Sequence, residues 1–464
     1  MTDTTFATPS AAAASSERAP RRARLSWVMF DWSAQPFYTL VLTFLFAPYF
    51  ANVVAPSGAE GQKLWGYAAA AAGLLIAIGS PLLGAMADGG RRRKPWIALF
   101  SLIFVGAVSA LWLATPGAPF NTILLVLAAF VVAMVAIEFA TVFTNAIMPG
   151  LAPSEELGRL SGLGYAVGYA GGLVSLAVML VWLIAEPGTG KTIAGFTPPI
   201  PLDATAREGE RLIGAFAAIW FIVFIIPFFL FVPDRQPVDG KKHGSALAEL
   251  GKTIKSLPQH PSMLLFLLAR MLYADALAAV FTFGGIYGTS LFNWSQTELG
   301  IFGIAIITIG VLGALVGGWL DDKLGSKTVI VGGLVLLMIA IAGILSVDRT
   351  HVLYTIEVPQ KVDGAGHFSS IGEWVYMGFA VLVGLVAAPI QAASRTLLAR
   401  LAPADKVTQF FGLFAFSGKA TAFLAPLLVA WVIDMSGDQR LGMASITIFL
   451  VIGMALMLPV RTRR

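Results

Sequence analysis

Apolar residues in this chain fall into long uninterrupted runs, and most charged residues stand in the short segments between them. A helix of roughly 20 apolar residues crosses a hydrocarbon core about 30 Å thick, and each run is about that long or longer. The pattern therefore predicts an all-α membrane protein with 12 transmembrane helices. The predicted spans, with ends accurate to a few residues, are 27 to 54, 65 to 87, 96 to 114, 121 to 148, 160 to 185, 212 to 232, 262 to 290, 298 to 320, 327 to 347, 373 to 398, 408 to 433 and 441 to 460.

The composition agrees with this pattern. Hydrophobic residues fill 57% of the 464 positions, 12% of the residues are charged, and the mean hydropathy is +0.80. Soluble domains have roughly 45–50% apolar and about 25% charged residues. The chain has no cysteine, which excludes disulfides, thiolate catalysis and cysteine metal sites. Because the net charge of +5 is spread over loops, it does not indicate nucleic-acid binding.

Basic residues are distributed unevenly between the two sides that twelve spans define. One side holds 22 of the 31 Lys and Arg, including the run Arg91-Arg92-Arg93-Lys94, and the other side holds 7. Because cytosolic loops are enriched in Lys and Arg, the bias predicts that both termini are cytosolic. We expect an integral protein of a bacterial inner (cytoplasmic) membrane, with no cleaved signal peptide.

A segment containing four prolines separates the first six spans from the last six. Within it, the stretch 245–256 is predicted to form a surface helix. Two outer loops, 186–211 and 348–372, are long enough to cap the outer side. The predicted domains are a disordered cytosolic tail at 1–24, an N-terminal six-helix bundle at 25–232, a cytosolic linker at 233–261 and a C-terminal six-helix bundle at 262–464.

Two patterns recur between the two sets of spans. Gly84-x-x-x-Asp88 follows the second span, and Gly318-x-x-x-Asp322 follows the eighth span, 234 positions later. A longer pattern recurs at an offset of 250. Parallel repeats of this kind predict two pseudo-symmetric bundles, a substrate site between them and alternating access. The longer pattern pairs Leu151-Ala152-Pro153, Gly162-Leu163, Gly168 and Ala170 with Leu401-Ala402-Pro403, Gly412-Leu413, Gly418 and Ala420.

The shorter pattern resembles the cytosolic signature of the major facilitator superfamily, Gly-x-x-x-Asp-Arg/Lys-x-Gly-Arg-Arg/Lys. The resemblance implies the major facilitator fold, a Gly that permits close helix approach, and an Asp that caps a helix or pairs with an Arg to latch one state. Gly89, Arg91 and Ser326 depart from the signature, and a merely topogenic basic loop is the alternative for the arginines. The predicted cytosolic gate consists of Asp88, Arg92, Arg93, Asp322, Lys323, Asn145, Ser394 and Arg395.

Further segments resemble one branch of this superfamily, which includes the autophagy-related vacuolar amino-acid effluxer of fungi. The resemblance implies export of amino acids or related small solutes. The chain departs from the branch at Ala276 and at Ala388-Pro389. The segments that carry the resemblance are Phe30-Asp31-Trp32, Thr144-Asn145-Ala146, Leu160 to Tyr165, Gly168 to Gly172, Tyr273-Ala274-Asp275, Gln391 to Arg395, and Phe410 to Leu413 with Gly418-Lys419.

Ionisable residues within the spans are the candidates for substrate binding and coupling, because charges at this depth are costly and usually face a cavity or a partner. Glu138 and Lys419 lie about 15 Å from the cytosolic ends of their spans, near the midplane. We expect Lys419 to bind substrate or a counter-charge and Glu138 to couple protons. Arg270 and Asp275 lie some 140° apart on one helix and are not expected to form a tight pair. Arg270 is placed within reach of Gln391 or Ser394.

The first span contributes two more candidates. Asp31 is predicted about 6 Å inside the span, where an N-terminal helix cap is the alternative to a role in transport. Gln35 shares its helix face, and Pro36 is expected to kink the helix. Tyr169 and Tyr273 are candidates to line the cavity, with simple packing as the alternative.

The predicted function is secondary active transport of a small polar or zwitterionic solute, with proton coupling and with the protein acting as a monomer. Because no span carries His or Cys, an enzyme is not expected, and neither a metal nor a cofactor is predicted. No phosphate-binding loop for ATP is present. A transporter of lipids or lysolipids and a receptor without transport activity are the alternatives.

Overall fold

The computed structural model describes residues 18–88, 92–234, 246–361 and 366–462. Eleven helices in these ranges are long and apolar enough to cross a membrane, and Leu424–Ser436 is a shorter apolar helix. In chain order the helices are α1 (Arg21–Val54), α2 (Gly58–Asp88), α3 (Lys94–Leu113), α4 (Phe120–Gly150), α5 (Ser154–Leu183), α6 (Glu208–Phe231), α7 (Ala246–Ser256), α8 (Pro261–Phe292), α9 (Gln296–Leu324), α10 (Ser326–Leu345), α11 (Ile371–Leu401), α12 (Val407–Ser417), α13 (Leu424–Ser436) and α14 (Gln439–Met457).

Apolar side chains are exposed and charged side chains are buried along these helices. Leu102 is 73% exposed and Ile78 is 63% exposed, whereas Glu373 and Asp275 are at most 1% exposed. Exposed apolar side chains are unfavourable in water but favourable in hydrocarbon. Charged side chains are unfavourable in hydrocarbon and are therefore buried inside the protein. The fold is that of an integral membrane protein, and the predicted twelve-helix architecture is confirmed.

The chain forms two compact units. Unit 1 comprises Met1–Pro153, Val167–Leu250 and Pro403–Ala415, and unit 2 comprises the rest. The units therefore differ from the predicted bundles by the exchange of two short segments, Ser154–Ala166 and Pro403–Ala415. The bounds of these two segments correspond, within one residue, under the offset of 250 found in the sequence repeat.

Aromatic pairs tie helices together in the core of unit 1. Phe30 of α1 packs against Phe221 and Phe228 of α6, with ring centroids 6.3 and 6.0 Å apart. Each such aromatic pair contributes about 0.5–1.5 kcal/mol beyond area burial. The buried Trp27 indole donates a hydrogen bond to the Thr144 carbonyl at 2.9 Å and so ties α1 to α4.

Unit 2 has its own helical core and a small hairpin in the loop between α10 and α11. Helix α11 packs on α9 and α10, and α8 packs on α14. The strands β1 (His351–Val352) and β2 (Ile356–Glu357) pair antiparallel, with His351 opposite Glu357. Asp348 starts this loop by accepting hydrogen bonds from the backbone N–H groups of Thr350 and His351 at 2.8 and 2.6 Å. Burial alone would raise the pKa of Asp348, but these hydrogen bonds outweigh it and hold the pKa below the ordinary value.

A lysine from the same loop joins the starts of two helices in unit 2. Glu298 and Glu373 form capping boxes with Ser295 and Ser370, at the N-termini of α9 and α11. The Lys361 ammonium lies 2.8 Å from a carboxylate oxygen of each glutamate. We call Glu298, Lys361 and Glu373 the Lys361 clamp.

The N-terminal segment is ordered over more of its length than the predicted tail allows. Helix α1 begins at Arg21, and the Ala19 N–H donates to the Leu151 carbonyl at 3.2 Å. Part of the predicted disordered tail at 1–24 is therefore structured, and the remainder, 1–17, lies outside the described residues. The prediction erred because the basic residues Arg21, Arg22 and Arg24 form the first turn of helix α1. Ala23, which lies among them, is buried.

Two predicted features of the linker and the first span can be compared with the structure. Helix α7 lies where the surface helix was expected, while the linker residues 235–245 lie outside the described residues. The regular part of α1 ends at Pro36, and the chain continues as a π-helix over Phe37–Phe44. Proline removes a backbone donor, so the change in helix type begins where the kink was expected.

The predicted eleventh span, 408 to 433, is interrupted. It consists of α12 and α13 separated by a turn over residues 418–423. We call this turn the α12–α13 break. A discontinuous helix leaves backbone groups without helical partners in the middle of a span, so such a break is usually found where a transporter lines a cavity or binds an ion.

Candidate functional site

Asp88 binds the start of another helix within unit 1. Its carboxylate accepts hydrogen bonds from the backbone N–H groups of Thr408 at 3.1 Å and Gln409 at 2.7 Å, in the first turn of α12. Arg93 lies 3.6 Å from the same carboxylate and donates to the Thr408 hydroxyl at 2.9 Å. The first N–H groups of a helix have no internal partner and attract an anion. Asp88 therefore acts as an N-cap supplied from outside α12, which we call the Asp88 contact.

Asp322 makes the equivalent contact within unit 2. Its two carboxylate oxygens accept hydrogen bonds from the backbone N–H groups of Gly158 at 2.8 Å and Arg159 at 3.2 Å. The Arg159 guanidinium lies 3.3 Å from the carboxylate. The regular α-helix of α5 begins at Leu157, after a 3-10 turn at Ser154–Glu156, so these N–H groups stand in its first turn and Asp322 caps α5 as Asp88 caps α12. We call this arrangement the Asp322 contact.

The two contacts obey the sequence repeat. Asp88 and Asp322 are offset by 234, and the helix turns that they bind, at 408–409 and 158–159, are offset by 250. One chemical device is thus built twice from corresponding parts of the two halves of the sequence.

Glycines allow the helices at both contacts to approach closely. A Cβ on Gly84 would lie 2.5 Å from the Thr408 carbonyl oxygen. A Cβ on Gly318 would lie 2.7 Å from the Gly158 carbonyl oxygen and 3.1 Å from the Gly162 Cα. Any side chain at either position would push the two helices apart. The Gly of each signature copy therefore lets the helix approach closely enough for the Asp that follows it to reach its backbone partners.

Arg395 is buried within unit 2, where it holds α5 against α11. It is 3% exposed, and its guanidinium donates to the Ser161 hydroxyl at 2.9 Å and the Ser161 carbonyl at 2.7 Å. The guanidinium also lies over the Tyr165 ring, 4.6 Å from the centroid. Forked hydrogen bonding combined with stacking is an arrangement that Arg makes and Lys does not.

A second buried ionic cluster lies near the same end of unit 2 and was missed in the sequence. The Arg400 guanidinium is 2.6 Å from the Asp321 carboxylate and donates to the Ser326 hydroxyl and to the Ser154 carbonyl at 2.7 and 2.9 Å. The sequence offered two signals for this cluster. Two acidic residues, Asp321 and Asp322, are adjacent at the end of a span, and Arg400 directly precedes the repeated Leu-Ala-Pro.

The remaining predicted gate residues differ in burial. Asn145 of α4 and Ser394 of α11 are buried. Lys323 is exposed, and its ammonium lies 3.9 Å from the centroid of the Trp319 ring. Arg92 is exposed, whereas Arg93 takes part in the Asp88 contact. Of the two arginines, the structure therefore connects only the second with Asp88.

The polar residues of α1 face α5 within unit 1. A Cβ on Gly168 would lie 3.3 Å from the Asp31 Cβ and 3.5 Å from the Gln35 Oε1, so both side chains share the face that was predicted for them. The Gln35 amide donates to the Thr39 hydroxyl at 3.5 Å. Because α1 begins at Arg21, Asp31 lies about 15 Å from the helix start and does not cap it, contrary to the alternative considered for it.

Four further candidates are half-buried. Glu138 on α4 and Tyr169 on α5 belong to unit 1. Gln391 and Lys419 belong to unit 2, where the Gln391 amide donates to the Ala387 carbonyl at 3.4 Å. Lys419 lies in the α12–α13 break rather than on a continuous helix.

Arg270 and Tyr273 of α8 are anchored on different helices. The Arg270 guanidinium donates to the Ser417 hydroxyl at 2.9 Å, at the end of α12, and not to the Ser394 hydroxyl considered in the sequence. The Tyr273 hydroxyl lies 2.7 Å from the Ser394 hydroxyl, which itself donates to the Ile390 carbonyl. Tyr273 is therefore the donor in the first of these bonds, and α8 is tied to α11 at this point.

Asp275 is the most buried of the predicted ionisable site residues. It is 1% exposed, and neither of its carboxyl oxygens has a hydrogen-bond partner. The Thr421 hydroxyl of the α12–α13 break and the Arg270 guanidinium lie near enough to act on it, but neither makes a hydrogen bond of normal geometry to its oxygens. Buried carboxyl groups are normally hydrogen-bonded, so two unpartnered oxygens at this position need a functional explanation.

Comparison with known proteins places the chain among membrane transporters. A family model described as Vacuole effluxer Atg22 like matches residues 64–464. An uncharacterised MFS-type transporter of Bacillus subtilis, YxiO, is 26% identical over 438 residues, which cover 93% of each chain. Autophagy-related protein 22 of Cryptococcus neoformans is 25% identical over 63% of this chain, and the match covers about half of the fungal protein, 51%.

Solved transporters share the fold. The fucose:proton symporter FucP of Escherichia coli superposes with a TM-score of 0.69 at 12% identity and covers 95% of this chain and 98% of its own. The human organic anion transporter MFSD10 superposes with a TM-score of 0.68 at 13% identity, covering 94% and 99%. Identities this low show the fold alone.

Proposed function

We propose a function from the premise that this chain belongs to the family described as Vacuole effluxer Atg22 like. It is an integral membrane transporter of the major facilitator type. In our proposal it moves a small polar or zwitterionic solute, an amino acid or a related compound, by alternating access. Transport is driven by a proton gradient, and the protein works as a monomer.

The paired Asp88 and Asp322 contacts are the observation that carries this proposal. Each carboxylate binds N–H groups that water can satisfy equally well once the helices separate. Charge-assisted hydrogen bonds contribute about 1.5–3 kcal/mol each, which is enough to hold one state but not enough to lock it. Two such contacts, one for each half of the sequence, form a reversible latch for the transport cycle.

Charged residues of both signs within the spans suit a zwitterionic solute. Lys419 provides an ammonium for a substrate carboxylate, and Glu138 provides a carboxyl for a substrate ammonium. Gln35 and Gln391 add neutral hydrogen-bonding groups. Glu138 and Lys419 are both half-buried, as expected of groups that must meet a solute and water in turn.

The decisive experiment is flux into proteoliposomes under an imposed pH gradient, with a panel of labelled amino acids, other polar solutes and lysolipids. We expect uptake of a polar solute, with Asp88→Asn and Asp322→Asn each slowing it roughly tenfold through loss of a charge-assisted bond. Asp405→Asn is the matched control because Asp405 is exposed in the turn before α12. Transport of lysolipids alone would replace the proposed substrate class, and the absence of any flux would favour a receptor.

We also propose that the protein lies in the bacterial cytoplasmic membrane with both termini cytosolic, on the basis of the bias in basic residues. The chain has no cysteine, so single cysteines can be introduced without a background of other thiols. A membrane-impermeant maleimide should label Tyr354→Cys in intact cells and Asp405→Cys only after lysis. The reverse labelling pattern would invert the topology.

A further inference from the structure

Asp275 differs from the other buried carboxyl groups discussed above. Asp88, Asp322, Glu298 and Glu373 are all largely buried, and each accepts hydrogen bonds from backbone or side-chain donors. Neither oxygen of Asp275 accepts one. An ionised carboxylate buried without donors costs several kcal/mol, so the group is stable here in its neutral, protonated form.

The surroundings of Asp275 supply few charges. The helices that pack against α8 have no charged residue over 299–320 of α9, 376–394 of α11 or 441–457 of α14, and the charged residue of α13, Asp434, is exposed. On its own helix, Arg270 is the charged neighbour, but its guanidinium is directed to Ser417. The five-residue spacing also puts Arg270 about 140° around the helix from Asp275.

The α12–α13 break brings the other relevant groups. It holds the Thr421 hydroxyl, which interacts with the carboxyl and donates at 3.5 Å to the Met271 carbonyl. It also holds Lys419, the charged residue of this segment. The break can change conformation at lower cost than a continuous helix, because its backbone does not follow the regular hydrogen-bond ladder.

Arg270 keeps the end of α12 in place next to this break. A Cβ on Gly418 would lie 2.6 Å from an Arg270 guanidinium nitrogen, so the arginine packs directly on the backbone where α12 ends. A cation at a helix C-terminus is favourable because the last carbonyl groups carry partial negative charge. The arginine thus holds one side of the break, while Thr421, on the other side, lies near the Asp275 carboxyl.

We propose that Asp275 carries the coupled proton of the transport cycle and that its charge controls the conformation of the α12–α13 break. The proton is bound to the carboxyl in the state described here. When it leaves to water, the carboxylate that remains requires donors, and the break rearranges to supply them from Thr421 and Lys419. This inference rests on the proposed proton-driven transport and moves the coupling role from Glu138 to Asp275.

Asp275→Asn tests the proposal, because asparagine resembles the protonated carboxyl and cannot ionise. With the solute found by the panel, we expect proton-driven accumulation to fall by about tenfold or more. The variant cannot release a proton at this position, so the costly buried carboxylate never forms. Solute exchange between equal pools on both sides needs no net proton movement and should persist. Asp434→Asn, an exposed carboxyl on α13, is the matched control and should leave both measurements unchanged.

The two proposals fail in distinguishable ways. If the wild-type protein accumulates no solute under a pH gradient, proton-driven transport is wrong, whatever Asp275 does. If the wild type accumulates solute and Asp275→Asn accumulates it equally well, the assignment of the proton to Asp275 is wrong.

A labelling experiment covers the case in which Asp275→Asn is inactive in both assays. A single cysteine at Ala422, within the α12–α13 break, reports the conformation of the break through its rate of reaction with a maleimide of fixed charge. We expect the rate, corrected for thiolate formation, to change with pH when Asp275 is present and to be constant in the Asp275→Asn variant. An identical pH profile in both backgrounds would overturn the inference.

Discussion

At the scale of single residues, the surroundings of each carboxyl group determine its role. Asp88 and Asp322 cap helices, Glu298 and Glu373 bind one lysine, and Asp275 has no hydrogen-bond partner. These acids are all largely buried, so burial alone does not separate structural groups from functional ones. The number of hydrogen bonds that each carboxyl accepts separates the structural groups from the functional one.

Arg93 and Arg92 provide a test at this scale, since they are adjacent and differ in contacts. Arg93→Ala removes the ion pair to Asp88 and the hydrogen bond to the Thr408 hydroxyl. We expect transport to slow about fivefold to tenfold, since a partly buried charged bond contributes roughly 1–2 kcal/mol. Arg92→Ala should behave as wild type in the same flux assay. Equal effects of the two substitutions would support a purely topogenic role for both arginines.

Lys361 gives a test based on stability. Lys361→Met leaves two buried carboxylates without their cation, and breaking such a pair costs roughly 2–4 kcal/mol when the lysine is partly exposed. We expect a clear fall in the melting temperature of the purified protein. Lys63→Met, which removes an exposed ion pair with Glu60, should change it little.

The pH dependence of the Lys361 clamp follows from the pKa of the lysine. Burial acts to lower the pKa of Lys361, but its hydrogen bonds to Glu298 and Glu373 outweigh burial and raise it above the ordinary 10.5. A raised pKa stabilises the folded protein fully below that ordinary value, and the contribution is lost as the pH rises through the folded-state value. The difference in melting temperature between wild type and Lys361→Met should therefore be constant over about pH 7 to 9 and shrink above about pH 10.5. A difference that shrinks between pH 7 and 9 would contradict this.

At the scale of helices, close packing depends on particular glycines and not on glycine content. Gly84 and Gly73 lie on the same helix, α2, but a Cβ on Gly84 would clash with the Thr408 carbonyl whereas a Cβ on Gly73 would meet nothing within 4 Å. The distinction is invisible in the sequence, where both are glycines in an apolar run.

Alanine substitutions at these glycines should have opposite effects. Gly84→Ala forces α2 and α12 apart, which costs roughly 1–3 kcal/mol, and we expect slower transport together with a lower melting temperature. Gly73→Ala should be neutral or raise the melting temperature slightly, because alanine favours the helix by up to about 1 kcal/mol over glycine. A wild-type melting temperature for Gly84→Ala would show that this approach is not needed.

At the scale of the whole molecule, the repeat places one Asp contact in each unit. The two contacts share no residue, so their contributions to the free energy of the latched state should add. In the flux assay, the double variant Asp88→Asn with Asp322→Asn should slow transport by roughly the product of the two single effects. A double variant no slower than the worse single variant would mean that one contact alone limits the cycle.

The sequence by itself determined the class of protein, the spans and the repeat. Apolar runs long enough to cross a bilayer leave few alternatives, because hydrocarbon accepts only helices or closed barrels. The two copies of the Gly and Asp signature also identified Asp88 and Asp322 as residues that cap a helix or pair with an arginine, but not the helices α12 and α5 that they bind.

Only the tertiary structure decided which polar groups meet. It placed Arg270 on Ser417, joined Arg400 to Asp321, broke the eleventh span at 418–423 and left Asp275 without donors. The length of each apolar run fixes which residues enter the membrane, since transfer into hydrocarbon depends on side-chain type. Hydrogen bonds and ion pairs depend on distances of a few Å between residues far apart in the chain, and those distances exist only after the helices have packed.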